Sequence, residues 1–207
     1  EDVRDVVISK NGQKLEDLPD GAIVGTGSLR REIQIKQKHS HLEVKFIQGN
    51  LDGRIKKMME GDYDAIILAA AGLKRLGMIG KATEILTEDE MIPAVCQGAL
   101  ALEVRKTDKE AARIVAQVNH LDTEISTQAE RIFLTALGGG CNYPIASYAK
   151  VEGEAILIKG LYASADGKIV ETGEIEGHKR LSTQLAKQLA QDLNERVLSR
   201  LRKEKVN

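Results

Sequence analysis

Residues 64–77 read DAIILAAAGLKRLG, seven apolar residues in a row followed by a glycine and a short basic stretch. A run without polar alternation is expected of a strand buried on both faces, in the middle of a sheet with helices above and below. Working outward from it, the same alternation of short apolar runs and helical patterns recurs: AIVG (22–25) before SLRREIQIKQ (28–37), and VKFI (44–47) before DGRIKKMMEG (52–61). Such alternation predicts βαβ units around a largely parallel sheet, an α/β fold. ALALEVR (99–105) alternates Leu100, Leu102 and Val104 and predicts a half-buried strand.

The texture changes after this. DKEAARIVAQV (108–118) and DTEISTQAERIFLTAL (122–137) place apolar residues at helical spacing, with Asp122 positioned to cap the second helix. SYAKV, AILIKGLYAS and KIVETGEIE then read as strands, the last two joined through Asp166-Gly167, a hairpin signal. The tail steps in fours through Leu185, Leu189, Leu193 and Val197, a helix laid on that sheet. A boundary near residues 119–122 therefore divides an α/β region from a smaller α+β domain, an antiparallel sheet with helices.

Composition narrows the partners. Thirty basic residues against 31 acidic ones leave a net charge of -1 over 207 residues, so there is no bulk field for nucleic acid or an anionic membrane and any anion site is local. The longest apolar run, residues 65–71, is too short to span a bilayer, and EDVRDVV lacks the regions of a signal peptide. With two cysteines, Cys96 and Cys141, and no disulfide framework, the expected location is the cytoplasm. Position 1 is not methionine, which suits a start partway along a longer protein.

The chemistry gathers at strand-to-helix junctions. In AIVGTGSLRR, backbone N–H groups, the hydroxyls of Thr26 and Ser28, and Arg30 and Arg31 in the first helical turn form one candidate site for anionic oxygens. The alternative is two solvated arginines about 100° apart on the helix. The loop is neither GxGxxG nor a P-loop, so neither a dinucleotide nor ATP is implied. IQGNLDGRI with Arg54, and AAAGLKRLG with Lys74 and Arg75, are two more basic junctions, and ligands of open α/β sheets collect at the carboxyl ends of strands. Asp2, Asp5, Asp17 and Asp20 read as surface or turn residues. His39, His41, His120 and His178 are scattered, so no metal is expected. Cys96, among apolar neighbours, reads as a small core residue. Cys141 lies in LGGGCNYPIA (137–146), where bare glycine backbone exposes the thiol.

Taken in order, GTGSLRR, GNLDGR, GDYDAIILAAAGLKRLG, PAVCQGALALE and LGGGCNYPIASYA resemble the porphobilinogen deaminase (hydroxymethylbilane synthase) family over nearly the whole chain. The resemblance implies a transferase of tetrapyrrole (porphyrin and heme) biosynthesis: four porphobilinogen molecules are joined head to tail onto a cysteine-bound dipyrromethane primer, releasing ammonia and then hydroxymethylbilane. It implies that Cys141 holds the dipyrromethane cofactor through a thioether. Thr26, Ser28, Arg30, Arg31, Arg54 and Arg75 would hold pyrrole carboxylates, with Gly72 and Leu73 lining the pocket by backbone. It further implies a periplasmic-binding-protein-like α/β second domain (4–95), a remnant of the first domain (96–119) and a cofactor-bearing C-terminal domain (120–207).

The chain departs from the family pattern at Gln48, where arginine is usual, at Gly53, where threonine is usual, at Cys96, where glycine is common, and at Asn142-Tyr143 in place of Gln-Val. The family's catalytic aspartate belongs to a first domain of which most has no counterpart here, so this polypeptide alone is expected to be inactive. The unpartnered strand at 99–105 would favour self-association, although the whole protein is expected to be a monomer. Two rival readings are a non-catalytic solute-binding module for a small carboxylate and a regulatory domain that senses an anionic metabolite.

Overall fold

The computed structural model describes residues 1–139 and 144–204. Its first half is built from β1 (Asp5–Ser9), β2 (Ile23–Gly25), α1 (Leu29–Lys38), β3 (Glu43–Lys45), α2 (Leu51–Glu60), β4 (Ala65–Ala69), α3 (Ala70–Arg75) and β5 (Glu84–Ile85). The strands form one sheet in the order β3-β2-β4-β1-β5. β2 pairs in parallel with β3 and β4, whereas β1 runs antiparallel to β4 and β5. The sheet is therefore mixed, with as many antiparallel as parallel pairings, rather than largely parallel. The difference comes from β1, whose three apolar residues Val6, Val7 and Ile8 are flanked by acids and polar groups and carry little period of their own.

The apolar run in β4 behaves as its sequence dictates. Ala65 and Ile67 point into one core with Val7, Val24, Ile35 of α1 and Leu86, while Ile66 and Leu68 point into the other with Val6, Ile8, Met58 of α2 and Leu73. Two-residue alternation thus feeds two cores on opposite faces. Each fully buried isoleucine contributes about 1.5–3 kcal/mol. α2 is capped at one end by Asn50, whose side chain accepts from Gly53 N at 2.9 Å, and ended by Gly61 at φ 105°.

The second half contains α4 (Lys109–Val115), α5 (Leu121–Ala136), β6 (Ile145–Glu152), β7 (Ala155–Ala163), β8 (Val170–His178) and α6 (Ser182–Glu204). β6, β7 and β8 form an antiparallel meander, and α5 and α6 cover one face. Gly160 shows why that cover fits: a Cβ there would lie 2.5 Å from the ring of Phe133. The hairpin between β7 and β8 closes at Asp166-Gly167, where Asp166 Oδ1 accepts from Ser164 Oγ at 2.6 Å and Gly167 takes φ 71°. Asp122 does not cap α5. That position belongs to His120, whose Nδ1 accepts from Thr123 N at 3.3 Å, and Asp122 falls in the first turn.

Residues 99–105 form no strand among the described residues. Leu100 and Leu102 are 75% and 62% exposed, so the alternating pattern is present but nothing pairs with it. The two halves meet elsewhere: Ile92 packs on Ala146 and Leu161, and Lys159 of β7 forms an ion pair with Asp89. No helix among the described residues is long and apolar enough to cross a membrane.

Candidate functional site

The parallel register of β3, β2 and β4 sets the three basic junctions side by side at one edge of the sheet. β1 runs the other way, so its first residue, Asp5, lies opposite Ala69 at that same edge. At the β2–α1 junction Thr26 is buried, and its Oγ1 accepts from Ser28 N at 3.2 Å. A Cβ on Gly27 would stand 2.8 Å from the Ile47 carbonyl, so only glycine lets this loop lie against the chain just past β3. Ser28 is the N-cap of α1, but its side chain makes no capping bond.

Arg30 and Arg31 are neither solvated nor splayed around the helix. Both are buried, and both grip Asp5, which is 0% exposed and not the surface residue its acidic surroundings suggest. Arg30 Nη1 donates to Asp5 Oδ2 at 2.7 Å and to the Ile92 carbonyl at 2.6 Å. Arg31 Nη2 donates to Asp5 Oδ1 at 2.8 Å, and its Nη1 to the Ile67 carbonyl at 3.0 Å. Gln97 completes the ring, donating to Asp5 Oδ1 at 2.9 Å and to the Val3 carbonyl at 2.6 Å. Burial pushes the Asp5 carboxyl upward, but Arg31 and Arg30 outweigh it and hold the group below the usual carboxylate range. Burial lowers the Arg30 guanidinium, with Asp5 opposing.

Two guanidinium groups against one carboxylate leave a positive charge in excess in a dry place. The Nε atoms of both arginines are buried with no hydrogen-bond partner among the described residues. Buried donors of this kind are rare in folded proteins, and an uncompensated buried charge costs several kcal/mol.

The other expected site residues surround it unevenly. Arg54, partly exposed on α2, donates through Nε to the Gly49 carbonyl at 2.9 Å. Gly72 approaches the first residue of α2, with a Cβ there 3.8 Å from Leu51 Cδ1. Leu73 turns its side chain wholly into the core, so only its backbone faces elsewhere. Arg75 is exposed at the end of α3, and the adjacent Lys74 pairs with Asp2 at 3.0 Å. Gln48 is exposed, its carbonyl accepting from Lys57 Nζ at 3.2 Å. Cys141, Asn142 and Tyr143 lie outside the described residues.

Cys96 is not a core residue. It is half-buried in a turn at φ 62°, the only non-glycine with positive φ among the described residues. Burial, then Glu130, pushes its thiol pKa up, which makes it a poor nucleophile. Sequence reasoning missed Asp5, Gln97 and Glu130. Gln97 stands inside the motif PAVCQGALALE but has no signal of its own. Asp5, ahead of a run of only three apolar residues, has none either.

A mixed sheet packed between helices, followed by a unit of helices on an antiparallel sheet, defines an α/β protein of two structural parts. Residues 1–113 match the family model described as "Porphobilinogen deaminase, dipyromethane cofactor binding domain", and residues 125–195 match "Porphobilinogen deaminase, C-terminal domain". The porphobilinogen deaminase of Geobacillus sp. (strain WCH70) is 44% identical over 208 residues, covering 99% of this chain and 67% of that protein. That of Shouchella clausii (strain KSM-K16) is 46% identical over 209 residues, covering 97% and 67%. The chain belongs to the porphobilinogen deaminase family, transferases of tetrapyrrole biosynthesis that use a dipyrromethane cofactor. It spans about two thirds of the length of these relatives.

Proposed function

We propose that this chain supplies the pyrrole-carboxylate cradle and the cofactor attachment point of hydroxymethylbilane synthesis, with Cys141 as the thioether anchor. The observation behind this reading is the buried Asp5–Arg30–Arg31 cluster, with its excess positive charge and two unpartnered Nε donors. A dipyrromethane suits such a cluster because its side chains end in carboxylates; when bound, it supplies the primer onto which porphobilinogen units are joined.

In this reading the protein's own groups bind and orient. Thr26 and Ser28 offer hydroxyls and backbone N–H groups at the start of α1, where the helix dipole favours negative charge. Arg30 and Arg31 are fixed by Asp5 before any ligand arrives, so little reorganisation accompanies binding. Arg54 and Arg75 neutralise further carboxylates from the neighbouring junctions, and the backbone at Gly72 and Leu73 lines the floor. The five-stranded unit acts as one periplasmic-binding-protein-like lobe. Asp5 is no proton shuttle: both its oxygens are committed to arginines and its carboxyl is held ionised. The chain therefore holds pyrroles without turning them over.

Calorimetric titration with porphobilinogen tests this. The wild type should bind, and Arg75→Gln and Arg54→Gln should each weaken binding several-fold with little change in thermal midpoint, since both side chains reach solvent. No binding by the wild type, or unchanged affinity in both variants, would overturn the reading.

A further inference from the structure

We propose that the groove between α5 and α6 is a second binding site, one that takes a carboxylate carried on an apolar ring or chain. It lies on a part of the molecule that the pyrrole-carboxylate reading does not use. The groove has a volume of about 420 Å³ and is lined by Gln128, Arg131, Ile132, Thr135 and Ala136 of α5 and by Lys187 of α6. That volume falls in the range of small-ligand sites. Ile132 and Ala136 supply apolar surface, and Thr135 donates its hydroxyl to the Arg131 carbonyl at 2.8 Å, so the wall between the two cations is mainly apolar.

The charge pattern decides the ligand. Elsewhere on the helices of this chain cations stand four residues from an acid with which they pair, as in Lys36–Glu32, Lys56–Glu60 and Arg196–Asp192. Arg131 and Lys187 have no acid three or four residues away on either side, and among the described residues neither forms an ion pair. No acid lines the groove either. Glu124, one turn before Gln128, accepts from the Gln128 amide at 3.1 Å and from the Asn119 amide at 2.6 Å. Two helices thus each contribute one unneutralised cation to the lining of an apolar cleft. The Arg131 fork suits a carboxylate bidentately, Lys187 adds a point charge, and an apolar body covers Ile132 and Ala136. A small inorganic anion gains the charges without the apolar surface, and a neutral ring gains the reverse. The site shares no residue with the Asp5–Arg30–Arg31 cluster, so the two readings stand or fall separately.

The test is calorimetric titration of the chain with sodium 2-naphthoate, with its neutral amide and with sodium acetate, at matched ionic strength. The naphthoate should bind at one site, and the amide and acetate each about tenfold more weakly or worse. Arg131→Gln and Lys187→Gln should each weaken naphthoate several-fold, and Ala136→Phe, which fills the apolar floor, should weaken it further. Leu100→Lys with Leu102→Lys should leave it unchanged, since that exposed apolar segment lies outside the groove. Arg131, Ala136 and Lys187 are exposed, so these variants should keep the wild-type thermal midpoint, and the two glutamine variants decide the matter if Ala136→Phe does not. No binding of naphthoate, equal affinity for its amide, or unchanged affinity in both glutamine variants would overturn the proposal. Loss of binding in the Leu100→Lys, Leu102→Lys variant would place the ligand on that segment and overturn it equally.

Discussion

Cys96 and Glu130, 34 residues apart in sequence, meet through a 2.6 Å hydrogen bond from the Cys96 backbone N–H to Glu130 Oε2. The other oxygen of Glu130 accepts from Ala149 N at 2.8 Å, so one buried carboxyl on α5 ties the turn after the α/β unit to the edge strand β6. The sequence QAERIF marks Glu130 only as one acid on a helix.

Burial raises the Glu130 carboxyl to about 7, with the two backbone N–H donors pulling the other way. The folded protein therefore holds a proton on Glu130 that the unfolded chain, near 4.5, releases. Stability from this group is fully present below about pH 4.5 and is lost as pH rises through 7. Glu130→Gln should flatten that decline in a series of urea midpoints from pH 4.5 to 7. It should also cost about 1–3 kcal/mol at the acid end, because an amide cannot accept from both N–H groups. An unchanged slope would contradict the assignment.

Cys96 sits in left-handed backbone that costs a non-glycine residue about 1–2 kcal/mol. Cys96→Gly relieves this at the price of a looser unfolded chain and a weak bond from Sγ to the Thr127 carbonyl at 3.7 Å. Net stabilisation is expected in thermal unfolding; a lowered midpoint would show that the turn is not strained.

Gln48 stands exposed just ahead of α2, beside the junction that presents Arg54. An arginine here adds a charge-assisted donor worth about 1.5–3 kcal/mol when fully engaged, less when wet. Gln48→Arg should tighten porphobilinogen binding several-fold by calorimetry, and no gain would argue that this position does not face the ligand.

Leu100 and Leu102 expose an apolar, unpaired segment. Sedimentation at rising concentration should show association of the chain that Leu100→Lys with Leu102→Lys suppresses. The double variant should change stability by no more than about 0.5 kcal/mol per site, as for other surface positions. A wild type that stays monomeric throughout would remove this prediction.

The strands and helices that carry strong periodicity were readable in advance: β4 from its unbroken apolar run, α6 from leucines spaced by four, the β7–β8 turn from Asp166-Gly167. β1 and the 99–105 segment were not, for opposite reasons. β1 has too short a pattern and owes its place to pairing with β4, whereas 99–105 has a good pattern and no partner. The site follows the same logic. The arginines stand out through their position after a strand, but their burial depends on Asp5, which reaches them only through the antiparallel return of β1. A contact set by tertiary pairing leaves no local trace.

The most direct measurement is the intact mass of the purified chain with a peptide map across residues 137–146. A dipyrromethane adduct on the peptide containing Cys141, giving a positive pyrrole colour reaction, is the expected result. An unmodified Cys141 in protein exposed to hydroxymethylbilane, whose hydroxyl the thiol displaces as water with no condensation of porphobilinogen, or an adduct on Cys96 instead, would contradict the account.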